Sequence, residues 1–477
     1  MRARASFVLI AILALAVAIG AQSLTGPDTP PWFSDTFPTE EYATRRAAVM
    51  QQLGEAVAVL QGAAEKPAEA PLRQNNQFFY LTGVEVPRAM LVIDGRAKRS
   101  TLYLPDSTRR ASAWGPMLQP DEQAARITGI ESVVKREEFE AAVAELAREA
   151  RTIYTPFRPE VLGSGSGGDA AAWARTTAQD PWDGRPSREQ AFIDRLKTKA
   201  PQSEIKDLDP ILDSLRFIKS PREIAVIREA TRIAGLGIMA AMREAEPGKF
   251  EYELHAAAEY VFKKHGAQGA AYFALVATGK NTIFSHYHRG TARLADGDLV
   301  QFDYAPDYKY YVSDVTRVFP ASGRFTPWQR EYYTGYLRLY QALMTSIKPG
   351  VPVREIIAEA VKKMDEVLAA SVFTDPRIKE AANRFVDRYR KSTATSLGHT
   401  IGMEVHDVTR RLDTLVPGQL FTIEPAMQIP ELGLGLRLED AILMTERGYE
   451  NLSAFVPVEI DAIERVMKEP GLTNGKR

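Results

Sequence analysis

The stretch GDLVQFDYAPDYKYYVSDVTRVFP, residues 297–320, decides how the chain is read. Both halves are rich in β-branched and aromatic residues, and Pro306-Asp307 between them is a turn signal, so the stretch predicts a β-hairpin. Asp303 and Asp314 lie 11 positions apart. A turn centred between 308 and 309 places them directly opposite each other, with Cβ atoms about 5 Å apart. Two carboxylates that close repel, so positive charge is expected between them. Arg317 is the ordinary candidate and a metal ion the sharper one.

A second acidic hairpin lies downstream. QLFTIEP (419–425) and LGLRLEDAILM (434–444) carry Glu424 and Glu439 inside apolar strand patterns, where acids are disfavoured unless paired or bound to a metal. A turn at 430–433 brings the two face to face. Between the hairpins, LGHTIGMEVHD (397–407) holds His399 and His406. Each residue alone has an ordinary reading: a lone aspartate is most often a cap or ion-pair partner, and a lone histidine a satisfied one. The joint pattern reverses this. Asp303, Asp314, His399, Glu424 and Glu439 form a candidate ligand set, oxygen-rich with one imidazole, which suits Mn²⁺ or a similar divalent ion. So many carboxylates suit a two-metal site, able to activate a bridging water and clamp a tetrahedral intermediate.

Composition narrows the alternatives. The 477 residues are 45% hydrophobic and 25% charged, an ordinary globular balance. No cysteine is present, which excludes disulfides, thiolate zinc sites, iron–sulfur clusters and a cysteine nucleophile. A net charge of -1 gives no bulk attraction to nucleic acid or anionic lipid, so no nucleic-acid partner is expected.

Along the chain, Arg2 and Arg4 precede an apolar run over 7–18 and then small residues. This predicts a cleaved signal peptide over 1–21, hence an exported bacterial protein, periplasmic or secreted, with no stable membrane anchor after cleavage. Proline-rich 22–38 reads as an extended lead-in. Residues 39–205 read as an α/β domain and 206–477 as the domain carrying the acidic hairpins. The glycine run at 163–168 lacks the lysine and strand–turn–helix setting of a phosphate loop and reads as a flexible loop. Ser220-Pro221-Arg222-Glu223 predicts a capped helix reaching about Ala245. A second helix over 252–265 keeps His255 and His265 as structural residues, and further helices are expected near 326–347 and 353–370.

At these residues the sequence resembles the metal-dependent Xaa-Pro peptidases, aminopeptidase P and prolidase, of the pita-bread family that includes methionine aminopeptidase. RQNNQFFYLTG (73–83) resembles the aminopeptidase P N-terminal domain. The resemblance implies an α+β fold, a pita-bread catalytic domain preceded by a smaller α/β domain. It also implies an exopeptidase releasing the residue that precedes proline by metal-activated water attack, and a homo-oligomer, dimer or tetramer. Asp303 would hold one divalent ion, His399 with Glu424 the other, and Asp314 and Glu439 would bridge them. Mn fits best, and Co or Zn share such ligands. Glu424 would double as general base, and His286 and His406 would polarise the scissile carbonyl. Arg437 would lie near the substrate. Thr395 stands where the family usually has a proline-pocket histidine, and Gln428 where aminopeptidase P has a tyrosine. Tyr304-Ala305 and Ala426 replace Ala-Gly and Gly. These departures are expected on the substrate side. Two alternatives use the same fold: a dipeptidase or carboxypeptidase with Arg437 and Arg289 holding a carboxylate, or a non-catalytic binding protein.

Overall fold

Val57–Gln61 (β1) is apolar at four consecutive positions and is buried nearly throughout, so it lies inside a sheet covered on both faces. Successive side chains point to opposite faces. Ala58 and Leu60 pack with Val49 and Leu53 of helix Thr39–Leu53, whereas Val57 and Val59 pack with Val143, Leu146 and Leu196 of helices Phe139–Arg148 and Arg188–Lys199. Met90–Asp94 (β2) pairs antiparallel on one edge and Ile153–Thr155 (β5) parallel on the other. With Arg99–Leu104 (β3), Ser132–Lys135 (β4) and Ile205–Asp207 (β6) the sheet order is β4-β3-β2-β1-β5-β6. The computed structural model describes residues 33–65, 71–106, 117–161, 165–410 and 412–472. The predicted signal peptide, most of the lead-in and residues 163–164 of the glycine run lie outside them.

Helix Pro221–Glu244 opens the second half. Ser220 Oγ accepts from the Glu223 amide at 3.2 Å and Glu223 returns a bond to the Ser220 amide at 2.9 Å, a reciprocal cap. This helix packs closely on Glu251–Lys264, where a Cβ at Gly237 would sit 2.5 Å from the Phe262 ring. Several helices lie outside the sequence prediction, and two of them have legible starts. Pro376–Arg390 starts from an Asp375 cap with proline at its first position, and Gly167–Gln179 starts from Ser166, inside the stretch read as flexible. Among the described residues no helix is long and apolar enough to cross a membrane.

The acidic segments lie in small antiparallel sheets wrapped by these helices. Leu299–Asp303 pairs with Thr316–Pro320, and Asp303 faces Thr316, not Asp314. The intervening turn is centred between Lys309 and Tyr310, both at positive φ, because Asp307 pairs with Val312 and Tyr308 with Tyr311. The directly opposed aspartate pair is therefore corrected to a diagonal one: the register is shifted by two residues from the sequence expectation. Leu420–Ile423 pairs with Asp440–Thr445, ending at Ile423↔Asp440. Ala426–Ile429 pairs with Leu434–Arg437, starting at Ala426↔Arg437. Glu424 and Glu439 face each other in the gap between these ladders, at one common register. A single bridge, Thr316↔Glu439, joins the two acidic hairpins.

Candidate metal centre

Five side chains meet where the hairpins join. His399 Nε2 lies 3.2 Å from Glu424 Oε1, 3.5 Å from Asp314 Oδ2 and 3.8 Å from Glu439 Oε1. Tyr272 Oη donates to Asp303 Oδ1 at 2.5 Å and lies 2.6 Å from Asp314 Oδ1, so it joins the two aspartates that the strand register leaves diagonal. Thr316 Oγ1 donates to Glu439 Oε2 at 2.7 Å, while Glu439 Oε1 is buried without a hydrogen bond. One donor atom each of Asp314, His399 and Glu439 falls within a span of 4.8 Å.

The positive charge beside the aspartates is not Arg317. That guanidinium is fully buried on the far side, bonded to Asp440 Oδ1 at 2.7 Å and to the Glu439 carbonyl at 2.7 Å, where it fixes the backbone under the cluster. Arg437 takes the place instead. It donates to Asp303 Oδ2 and, at 3.3 Å, to the Ser285 carbonyl next to His286. It is buried below the cleft and does not line it, so its position is that of a counter-charge to the acids and an anchor for the His286 segment.

Electrostatics tests whether metal fits. Four carboxylates stand against one guanidinium in a site where burial strongly penalises uncompensated charge. Burial, then the Asp303 and Glu424 charges, hold Asp314 well above the usual carboxylate range. Glu439 is raised likewise by burial and by Asp314 and Glu424. Burial opposes charge on His399, but its hydrogen bond to Glu424 and the Glu439 carboxylate outweigh this and raise it. Burial would raise Glu424, yet the same bond to His399 lowers it. Excess negative charge, an orphaned carboxylate oxygen and an oxygen-rich donor set with one imidazole are what divalent cations satisfy, so the residues fit the group.

This predicts an observable. Carboxylate and imidazole ligands bind metal deprotonated, and Asp314, Glu439 and His399 all hold protons more tightly than usual. Adding MnCl₂ to metal-free protein in weakly buffered solution at pH 7 is expected to acidify the solution, read with an indicator dye. Uptake of metal without proton release would contradict the assigned ligands.

Above the cluster opens a cleft of about 980 Å³ whose wall includes His286, Thr395, His399, His406 and Glu424. The rings of His399 and His406 are 4.2 Å apart, and burial with the neighbouring His399 charge pushes His406 down, toward its neutral form. Thr395 is exposed in the cleft. Gln428 is not among its walls, because its amide donates to the Ile283 carbonyl at 3.0 Å. Tyr304 is also directed away: its ring is buried against Phe262 and His255 and its hydroxyl donates to Glu259 at 2.9 Å. Of the departures expected on the substrate side, the cleft wall contains Thr395 alone. His288 and Arg289 are exposed outside it. Tyr272 was invisible to sequence reasoning, since a lone tyrosine after the two-residue strand Gly269–Ala270 has no spacing to betray it.

A carboxylate-rich, metal-accepting cluster below a histidine-walled cleft, on an α+β scaffold, defines a metal-dependent hydrolase. Comparison with known proteins gives the family. The model for metallopeptidase family M24 matches residues 225–446, and that for the aminopeptidase P N-terminal domain matches 42–154. The Xaa-Pro aminopeptidase of Escherichia coli (strain K12) is 30% identical over 448 residues, covering 90% of this chain and 97% of that protein. A structure of Zn-substituted E. coli aminopeptidase P in complex with product aligns with a TM-score of 0.70 at 28% identity, covering 90% and 98% of the two chains. The Xaa-Pro dipeptidase of Pyrococcus horikoshii is 34% identical, but over 55% of this chain and 70% of that protein. The chain belongs to metallopeptidase family M24 and has the two-domain organisation of its aminopeptidase P members.

Proposed function

We propose that this metallopeptidase is an Xaa-Pro aminopeptidase acting on exported or environmental peptides with two divalent ions, Mn foremost among them, as a homo-oligomer outside the cytoplasm. The observation that carries the reading is the convergence of Asp303, Asp314, His399, Glu424 and Glu439 beneath a cleft walled by His286 and His406. Aminopeptidase over dipeptidase is favoured by the similarity to Xaa-Pro aminopeptidase, which runs through both domains, whereas the dipeptidase relative matches about half the chain. The carboxylate-anchoring alternative also loses both of its arginines, Arg437 to Asp303 and Arg289 to the surface outside the cleft. Export is supported by the N-terminal charge and apolar pattern.

Asp303, Asp314, His399, Glu424 and Glu439 would hold the ions. When bound, such ions lower the pKa of water and polarise a carbonyl. Glu424, the most accessible of the four acids, has its carboxylate in the cleft wall and accepts the proton of the attacking water. His286 and His406 flank the cleft and donate hydrogen bonds to the carbonyl oxygen as charge develops there. Acidic side chains at the closed end also attract the substrate's terminal ammonium.

Cleavage-product mapping with a peptide panel tests this. Metal-loaded protein is expected to release only the first residue from Xaa-Pro-Xaa peptides, and far more slowly when alanine replaces proline. Release of C-terminal residues, or cleavage of dipeptides alone, overturns it.

A further inference from the structure

The loop between the two histidines is closed upon itself and filled with charge. The Asp407 amide donates to the Thr400 carbonyl at 2.8 Å, and Thr400 Oγ1 donates back to the Asp407 carbonyl at 2.8 Å. Inside the loop lie two buried carboxylates, Glu404 and Asp407, and two buried cations, Arg216 and Lys219, none more than 5% exposed. Arg216 Nη2 bonds Asp407 at 2.5 Å and Glu404 at 3.0 Å, and Lys219 bonds the other Asp407 oxygen at 2.8 Å. A Cβ at Gly402 would lie 2.0 Å from Asp407 Oδ2, so only glycine allows this packing.

The N-terminal domain completes the network. Asn76 Nδ2 donates to Glu404 Oε1 at 3.3 Å, the Gly167 amide to Glu404 Oε2 at 2.9 Å, and Arg216 to Gln77 Oε1 at 2.5 Å. The Val405 amide donates to the Gly165 carbonyl at 3.2 Å. Part of the glycine run read as flexible is thus a docking surface for the residue preceding His406, and Gly167 has no room for a side chain between Arg158 and Glu404. His406 itself is exposed in the cleft and its ring has no hydrogen-bond partner among the described residues, so its place depends on the two buried carboxylates that bracket it.

We propose that Glu404, held by Arg216 and by Asn76 and Gly167 of the N-terminal domain, is a positioning residue for His406, so that the N-terminal domain takes part in the reaction. The proposal rests on the reading of His406 as a donor to the substrate carbonyl. Every charge in this network is paired, although Arg216 Nε has no hydrogen-bond partner; such a buried network favours one geometry, and removing one partner leaves another unsatisfied. The histidine at its end then samples positions from which it cannot reach the carbonyl, and small misplacements of such a group are costly in rate.

A double-mutant cycle tests this on the full, metal-loaded chain. Glu404→Gln keeps size and shape but turns an amide toward the Gly167 N–H. Asn76→Ala leaves the Glu404–Arg216 pair intact and serves as the second variant if Glu404→Gln does not fold. Each is made in the wild type and in His406→Ala, with kcat, KM, metal content and melting temperature measured. In the wild-type background kcat is expected to fall about tenfold with KM and metal content held. In His406→Ala the same substitution is expected to change kcat less than about twofold, since groups acting as a unit are non-additive. An equal loss in both backgrounds overturns the positioning role while leaving the aminopeptidase reading untouched. Wild-type activity in His406→Ala itself overturns the role of His406, and the proposal with it.

Discussion

Glu424→Gln is expected to lower kcat by about 10²–10⁴-fold, with KM changed far less. Glu424 has one oxygen 3.2 Å from His399 Nε2 and remains accessible to the cleft, unlike Asp303, Asp314 and Glu439, which are sealed below it. It is therefore the acid placed to take a proton from water at the substrate. Its lowered pKa keeps it ionised at neutral pH, as a proton acceptor must be. Glutamine preserves volume and a possible donor oxygen but cannot accept that proton. Metal content is measured alongside, so that loss of a ligand is separated from loss of a base. A variant holding its full metal complement yet working within about threefold of wild type would remove Glu424 from the chemistry.

Stripping the ions with a chelator is expected to abolish peptide cleavage and to leave a protein whose stability falls as pH rises. The sign follows from the buried acids. Asp314 and Glu439 have folded-state pKa values raised well above those of the unfolded chain. Between about pH 4, the ordinary carboxylate value, and the raised values, the native state therefore binds more protons than the unfolded state, and unfolding free energy declines with increasing pH. Below that window the contribution is fully present. Metal at a hundredfold excess over its dissociation constant restores about 2.7 kcal/mol per site, and a fixed metal concentration restores more at pH 7 than at pH 5, because the ligands bind deprotonated. Melting curves with and without Mn²⁺ at the two pH values check this. A metal-free protein more stable at pH 7 than at pH 5 would place the acids elsewhere than in a shared buried site, provided the other titrating groups are compared in Asp314→Asn.

Much of the centre was legible because it obeys a rule readable in one dimension: acids do not belong in apolar strand patterns without a reason. Glu424 and Glu439 face each other at the register that a turn at Pro430–Leu432 imposes. The aspartate hairpin was read two residues out of register. Lys309 and Tyr310 both adopt positive φ, as a two-residue hairpin turn requires, and Tyr310 is anchored there by stacking on Phe79 at 3.5 Å and accepting the Gln74 amide bond at 2.9 Å. That anchor lies some 230 positions away in sequence and leaves no local signal. Helix Pro376–Arg390, by contrast, carries a local signal, its Asp375-Pro376 start.

What the sequence alone determined is the chemistry: no thiols, acids in apolar strands, a histidine between them, and hence an oxygen-rich site for divalent ions. Local pattern sufficed because burial of an acid and strand alternation are short-range properties. Only the tertiary structure decided which cation answers the acids, Arg437 and not Arg317, which tyrosine joins Asp303 to Asp314, and which departures from the family face the cleft. It also decided that the N-terminal domain reaches Glu404, two residues before His406, through Asn76 and Gly167. Those are contacts between residues distant in sequence, and charge compensation in a buried site is set by what packing brings within a few ångströms, whatever its place along the chain.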